Sequence, residues 1–530
     1  MYGTEFMMSK PKDSNNTVRR SPDNSQQKIP RTAWMVLAIL GFTQIVTMYG
    51  ETMLLPAIPD IIEDFNISYS TSSWILSAYF IAGAVAAPIS GKLSDIYGRK
   101  KMVLIIMMIY IFGIGMGGIS PNITFLVITR AIQGIGISML PIAFSIIKDQ
   151  FPNDKPAIAI GVFSSMSAAG SVLGLVLGAD TVENFGWRAT FFSIIPIAVA
   201  LWFVINRFIC ESARTSEDDD SNAKKEIIID NADNKLKRAN GNNSSHTRSI
   251  DIKGTIFLSA TITLFLMVLS YSWADNLTSS PQIIGLLSAG TISLVMFVFI
   301  ERRSKSPLVN LQLLTNKIIL SANIILIITF LTMFAVFQTI PILVRSPQPL
   351  GFGGEATTIA SIQLPFMIVF LLFAPSSGII ISKLGNVKPT ILGSVISAIG
   401  FFSLLLFHST GFLVSMNLAI IAAGLSLTRV GSLNIVLEST PRQFSGISLG
   451  MTALFKMIGS SIGPAVAGIF MQTNQTFVNG VTGSFPSSES YDMIFLTIAL
   501  TSLVPLLLAP FLRKKLMPPH PALAEKETNC

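Results

Sequence analysis

Charge is scarce in this chain. Asp, Glu, Lys and Arg make up 12% of its 530 residues, where a soluble domain carries about a quarter. Half the residues are hydrophobic and the mean hydropathy is +0.61, so bilayer solvent explains the composition better than a large soluble core. Cysteine is nearly absent: Cys210 and Cys530 support no disulfide framework, and no Cys/His cluster has metal-ligand spacing. His246, His408 and His520 stand apart from cysteines and paired acids. No Gly-x-x-x-x-Gly-Lys-Ser/Thr loop occurs, so ATP-driven pumping lacks its phosphate cradle. No enzyme activity, cofactor or metal is expected. The N-terminal thirty residues lack the apolar centre of a signal peptide and read as a disordered cytosolic tail.

Long apolar runs, by contrast, are abundant. A hydrocarbon core about 30 Å thick needs roughly 20 apolar helical residues. Runs of that length fall near 33–55, 72–91, 102–120, 123–147, 157–179, 187–206, 253–273, 282–300, 318–344, 357–381, 389–408, 411–436, 447–471 and 492–511. The expected fold class is therefore all-α and polytopic, with fourteen transmembrane helices. If both termini are cytosolic, the short inner loops carry thirteen cations and the short outer loops carry two, Arg188 and Arg345. That asymmetry fixes the orientation, with both tails inside a cell membrane. The net charge of +8 then faces anionic headgroups, and no nucleic-acid partner is expected. Residues 207–250 combine Glu217-Asp-Asp-Asp220 with Lys224, Lys225, Lys235, Lys237 and Arg238. They read as a solvated linker, or else as a regulatory or partner-binding segment.

The second half echoes the first. Gly91, Asp95, Gly98 and Lys101 share their spacing with Gly378, Ser382, Gly385 and Lys388. Further on, Gly161, Gly170, Ser171 and Gly174 match Gly450, Gly459, Ser460 and Gly463. The expected organisation is a tail at 1–32, a six-helix bundle at 33–206, the linker at 207–250, an inserted helix pair at 251–301, a second bundle at 302–515 and a tail at 516–530. Two parallel repeats of this kind are one architecture of secondary transporters.

Between the second and third apolar runs lies Gly91-Lys-Leu-Ser-Asp95-Ile-Tyr-Gly98-Arg99-Lys100-Lys101. Two glycines permit a tight reversal, and one acid sits among four cations. This turn resembles the loop between helices two and three of the major facilitator superfamily, Gly-x-Leu-Ala/Ser-Asp-basic-x-Gly-Arg-basic, with Ile96 as its one departure. Leu126-x-x-x-Arg130-x-x-Gln133-Gly134-x-Gly136 is similar to that family's fourth-helix motif. Fourteen spans, with a pair inserted between the halves, look like the drug:proton antiporter branch, a group of multidrug efflux transporters. The resemblance implies two six-helix bundles plus two inserted helices, alternating access, a small-molecule substrate and protons as the coupling ion. The leading expectation is proton-coupled export of amphipathic or cationic drug-like compounds. Transport of an endogenous metabolite, lipid or siderophore, or a non-transporting sensor on the same scaffold, are the alternatives. Oligomeric state is not legible.

Among candidate residues, the resemblance associates Arg130 with proton coupling. An intramembrane guanidinium normally faces a cavity or a partner, and a structural, snorkelling arginine is the other reading. Glu51, before Leu54-Leu55-Pro56, is the second proton-coupling candidate, or else a helix-end acid at the interface. Gly91, Asp95, Gly98 and Arg99 form a conformational latch by the same resemblance. Small residues at Gly170, Gly174, Gly463 and Pro464 let helices pack closely; Leu175 stands where the antiporter subset has proline. Lys456 and Arg429 are intramembrane cations that pair with a carboxylate, favour an anionic substrate, or snorkel. Phe330, Phe334 and Phe337 recur at helical spacing beside Gln338 and Gln363. Together with Gln133, Phe334, Gln338, Gln363 and Lys456 are the cavity candidates, with lipid-facing or interhelical filling as the plainer reading of the phenylalanines.

Overall fold

The computed structural model describes residues 29–151, 156–209, 252–271, 281–304, 311–440, 445–481 and 483–512. The expected tails and nearly all of the 207–250 linker lie outside those ranges. Six helices make up the N-terminal half: α1 (Arg31–Thr52), α2 (Trp74–Tyr97), α3 (Arg99–Gly118), α4 (Ile123–Gly134, prolonged by a 3-10 turn Ile135–Ser138 and by Met139–Gln150), α5 (Pro156–Phe185) and α6 (Trp187–Phe208). Then come α7 (Ile252–Tyr271) and α8 (Pro281–Arg303). The C-terminal half holds α9 (Lys317–Arg345), α10 (Ala356–Leu384), α11 (Val387–Leu406), α12 (Gly411–Ser439), α13 (Ser445–Thr473) and α14 (Ser488–Thr501, resuming at Val504–Leu512). Among the described residues thirteen helices are long and apolar enough to cross a membrane; the apolar part of α7, Lys253–Val268, is shorter.

Helix starts follow local chemistry. Asn122, Asn316, Thr410 and Ser487 cap α4, α9, α12 and α14 by accepting from backbone N–H groups with their side chains. The turns after α2 and α10 use Gly98 (φ 96°) and Gly385 (φ 76°), a region that L side chains avoid. The repeat places these two glycines in register, whereas Gly91, read from the sequence as part of the reversal, lies inside α2 and only Gly98 makes the turn.

The repeat recurs in packing. In the first half, α1 lies along α5, and Gly170 and Gly174 bring that helix against the backbone of Ile45 and Tyr49. Thr52 Oγ1 closes the contact by donating to the Ser171 carbonyl at 2.9 Å. In the second half, α9 lies along α13, with Gly459 and Gly463 against the backbone of Ile327 and Leu331. A Cβ at any of the four would overlap the facing helix. Across the halves α2 packs on α13 and α5 on α10. The α7–α8 hairpin rests its α7 face on both α2 and α13.

One end of the molecule is closed. Ser77 Oγ donates to the Ser461 carbonyl at 2.7 Å and Gln338 Nε2 to Ser72 Oγ at 2.9 Å. Tyr69 bonds both the Gln472 side chain and the Ser484 carbonyl, each at 3.1 Å. Arg345 pairs with Asp60 at 2.8 Å. A small antiparallel hairpin, β1 (Gln475–Phe477) with β2 (Ser484–Pro486), completes this end. At the opposite end Gly91, Gly378 and Gly450 face open space. Among the described residues, the polar contacts named above that join the two halves gather at the end away from Gly91.

Candidate functional site

Arg130 and Gln133 lie one helical turn apart on α4, so their side chains share a face. Both are fully buried. Arg130 Nε donates to the Ile75 carbonyl at 3.1 Å, and its Nη1 donates to the Gly50 carbonyl at 3.0 Å and to Gln133 Oε1 at 2.7 Å. The guanidinium also lies over the Tyr79 ring, 4.4 Å from its centroid. One side chain thus ties α1, α2 and α4 together. Gly50 is required for this approach, because a Cβ there would run into the Tyr110 hydroxyl and Gln133. Tyr110 in turn donates to the Val46 carbonyl at 2.9 Å. A guanidinium this deep is held by carbonyls and a ring rather than by a hydrogen-bonded carboxylate. Its Nη2 has no partner among the described residues.

Glu51 follows Gly50 directly and is 9% exposed. Beyond it Met53, Leu54, Leu55, Ala57 and Ile58 are all buried, so the acid does not mark a solvent boundary. Its charged neighbours are Lys456, Arg130 and Arg429. These come from α13, α4 and α12, so one acid on α1 is surrounded by cations from both halves. Lys456 Nζ stands 5.0 Å from the Phe330 ring centroid. Arg429 stands 5.7 Å from the same ring and 5.4 Å from that of Phe370. Both cations are mostly enclosed by helices and keep some exposure.

The other sequence candidates are distributed as follows. Phe334 is buried, 4.5 Å centroid to centroid from Phe80 of the opposite half. From there a chain of ring contacts runs through Phe337 and Phe366 to Phe370. In this state Phe334 is a contact between the halves rather than an open wall. Gln338 likewise bridges the halves through Ser72. Gln363 is fully buried, and neither atom of its amide has a partner among the described residues. Arg99 Nη1 donates to the Ser145 carbonyl at 3.1 Å, joining α3 to the far part of α4. The side chain of Asp95 lies outside what the structure describes, so the acid of the expected latch has no structural account. Gly170, Gly174 and Gly463 serve close packing, and Pro464 lies inside α13.

Sequence reading missed Tyr79, Tyr110 and Phe370, which surround the cations. A weak signal existed, since the whole chain has eight tyrosines and two of them lie in apolar runs one helix away from Arg130. Asp60 opposite Arg345 was missed too; Arg345 had been noted as one of two outer-loop cations.

Comparison with known proteins accords with this geometry. The family model described as the Major Facilitator Superfamily matches residues 40–464. Multidrug resistance protein 3 of Bacillus subtilis (strain 168) is 28% identical over 474 residues, covering 87% of this chain and 84% of that protein. The tetracenomycin C resistance and export protein of Streptomyces glaucescens is 25% identical, covering 83% and 76%. Among solved structures, an auto-inhibited POT family peptide transporter superposes with a TM-score of 0.60 at 14% identity, covering 92% of this chain and 98% of that one. The human organic anion transporter MFSD10 superposes with a TM-score of 0.58 at 13% identity, covering 91% and 100%; at these identities the structures attest the fold alone. With most of its length matched by the family model and its helices arranged in that fold, the chain belongs to the Major Facilitator Superfamily and is a multi-pass membrane transporter.

Proposed function

We propose that the protein exports amphipathic, drug-like compounds by proton-coupled alternating access, with the Gly91 turn on the cytosolic side. The observation that carries this reading is the placement of Glu51. It is the one acid within a cluster whose cations come from both halves. A carboxylate there is stabilised by Lys456 and Arg429 only while the halves hold their present relation. Rocking the halves changes that field, and a proton is taken up or released as a result. Arg130 sets the other side of the balance from within the N-terminal half. Relatives named for multidrug resistance and for export of tetracenomycin C support the substrate breadth and the direction.

Opening and closing has a structural basis at both ends. The closed end relies on short polar contacts and one partly exposed ion pair, which are individually worth about 1 kcal/mol or less. Such contacts break and re-form without unfolding either half. Gly91, Gly98, Arg99 and Asp95 are proposed to latch the opposite end when it closes. The boundaries at 33–206 and 302–515 are proposed as the two moving bundles, with the 251–301 pair riding beside the α2–α13 seam.

The test is proton movement in proteoliposomes under an imposed pH gradient as amphipathic compounds are added. Compound-dependent proton movement that Glu51→Gln removes is the expected result. Transport that proceeds with no proton movement in the unaltered protein would overturn the coupling.

A further inference from the structure

The central cluster holds more positive charge than its own acid can balance, and the excess is not evenly held. Arg130 is already committed to the Gly50 and Ile75 carbonyls and to Gln133. Arg429 and Lys456 are not so committed. Neither head group donates a hydrogen bond to another described residue, and both crowd the same Phe330 ring. Two like charges over one ring repel each other, and both side chains keep some exposure. A positively charged compound entering there meets two free cations and one shared acid. An anionic compound meets two donors and an aromatic wall.

We infer that the transported compound carries an anionic group, a carboxylate or similar acid, which binds between Arg429 and Lys456 while its flat apolar body packs beside Phe370, the partly exposed ring next to Arg429. The inference rests on the transport reading above, because it assigns a substrate class to the same site. It also departs from the cationic class expected from the sequence. The guanidinium offers two parallel donors to a carboxylate, and the ammonium offers a point charge beside it. The Phe370 ring supplies area that tolerates different apolar bodies, as a broad-range transporter needs.

Glu51 acts here as a built-in counter-ion. The groups that face it are Arg130 from α4, Tyr79 from α2, Tyr110 from α3, Arg429 from α12 and Lys456 from α13. While ionised it competes with the substrate for the same cations. Once protonated it leaves them free. Anion and proton therefore favour each other's binding, whereas a cationic compound and a proton would exclude each other.

The experiment uses the purified full-length protein in a weakly buffered solution with a pH indicator. Naphthoate is the anionic probe and naphthylmethylammonium its cationic counterpart. Binding of naphthoate should be accompanied by proton uptake. Glu51→Gln should abolish that uptake while tightening naphthoate several-fold. Arg429→Gln and Lys456→Gln should each weaken naphthoate roughly tenfold or more, the loss expected for one charge-assisted contact. Arg429→Lys and Lys456→Arg should restore part of it, and thermal unfolding of each variant separates lost binding from lost fold. Preferential binding of naphthylmethylammonium with proton release, or unchanged naphthoate binding in both glutamine variants, would overturn the inference. Counterflow of labelled naphthoate in proteoliposomes keeps the two proposals apart. Binding without counterflow would defeat the transport reading and leave the anion site standing. Counterflow of the cation alone would do the reverse.

Discussion

In the N-terminal half, Arg130 reaches two backbone carbonyls and Gln133 and lies over Tyr79. In the C-terminal half, Arg429 and Lys456 stand over Phe330 and Phe370 with no hydrogen-bond acceptor among the described residues. The first arrangement is built to be rigid, since two of the three acceptors Arg130 uses are backbone carbonyls. The second leaves its donors for something that arrives. An intramembrane cation tied to fixed acceptors through Nε and Nη1 reads as architecture that tunes a neighbour. A cation that is not satisfied reads as a binding group. Glu51 lies between the two arrangements and feels both.

That contrast is open to attack by mutation. Arg130→Ala should have the largest effect, because it strands the Gly50 and Ile75 carbonyls and Gln133 in a buried site. A loss of about 1–3 kcal/mol in stability is expected for each buried acceptor left without a donor. Transport should fail as well, and Arg130→Lys should not restore it, since an ammonium cannot span the same three acceptors. Thermal unfolding together with flux in proteoliposomes reads both effects. A well-folded, active alanine variant would remove Arg130 from the account.

Next come the paired glycines. Gly174→Val and Gly463→Val should each cost roughly 1–3 kcal/mol by overpacking α1 against α5 and α9 against α13. Similar penalties in the two variants would show that the repeat extends to energetics. Gly91→Ala should leave stability nearly unchanged, because a Cβ there meets open space. It should nonetheless slow turnover if the turn closes in the opposite state.

Arg429→Gln and Lys456→Gln should unfold at close to the parent temperature, in contrast to Arg130→Ala. Marked destabilisation by either would mean that the C-terminal cations are structural after all. Asp60→Asn should have the smallest effect, about 0.2–1 kcal/mol for a partly exposed ion pair. Its signature is a shift toward opening of the closed end, visible as faster labelling of a cysteine introduced at Ser72.

Much of this architecture was legible in the chain, and for physical reasons. Apolar runs long enough to span a bilayer leave no other place for their helices, so the positions of α1 to α14 followed closely. Gly98 announced a turn that needs positive φ, and Gly170, Gly174 and Gly463 announced close helix contacts. Arg130 stood out because a buried guanidinium is expensive. What stayed hidden depends on contacts between distant positions. No local period shows that Ser77 meets Ser461, that Tyr69 meets Gln472, or that Phe334 meets Phe80 across the halves. The 3-10 turn within α4 at Ile135–Ser138, where Gly134 and Gly136 pack against Tyr79 and Tyr110, was hidden for the same reason. The convergence of Lys456 and Arg429 on Glu51 became visible only once both halves were in place.

Protonation at Glu51 is proposed to select which end is open. Electron–electron distance measurements on spin-labelled protein test it directly. In a background with Cys210 and Cys530 replaced by serine, labels at Phe185 and Phe477 report the closed end, and labels at Tyr97 and Leu384 report the opposite end. All four positions are strongly exposed. The account predicts that acidification shifts the two distances in opposite directions, and that Glu51→Gln holds the acid-state distribution at every pH. A Glu51→Gln protein that still follows pH like the parent, or two ends that move independently, would contradict it.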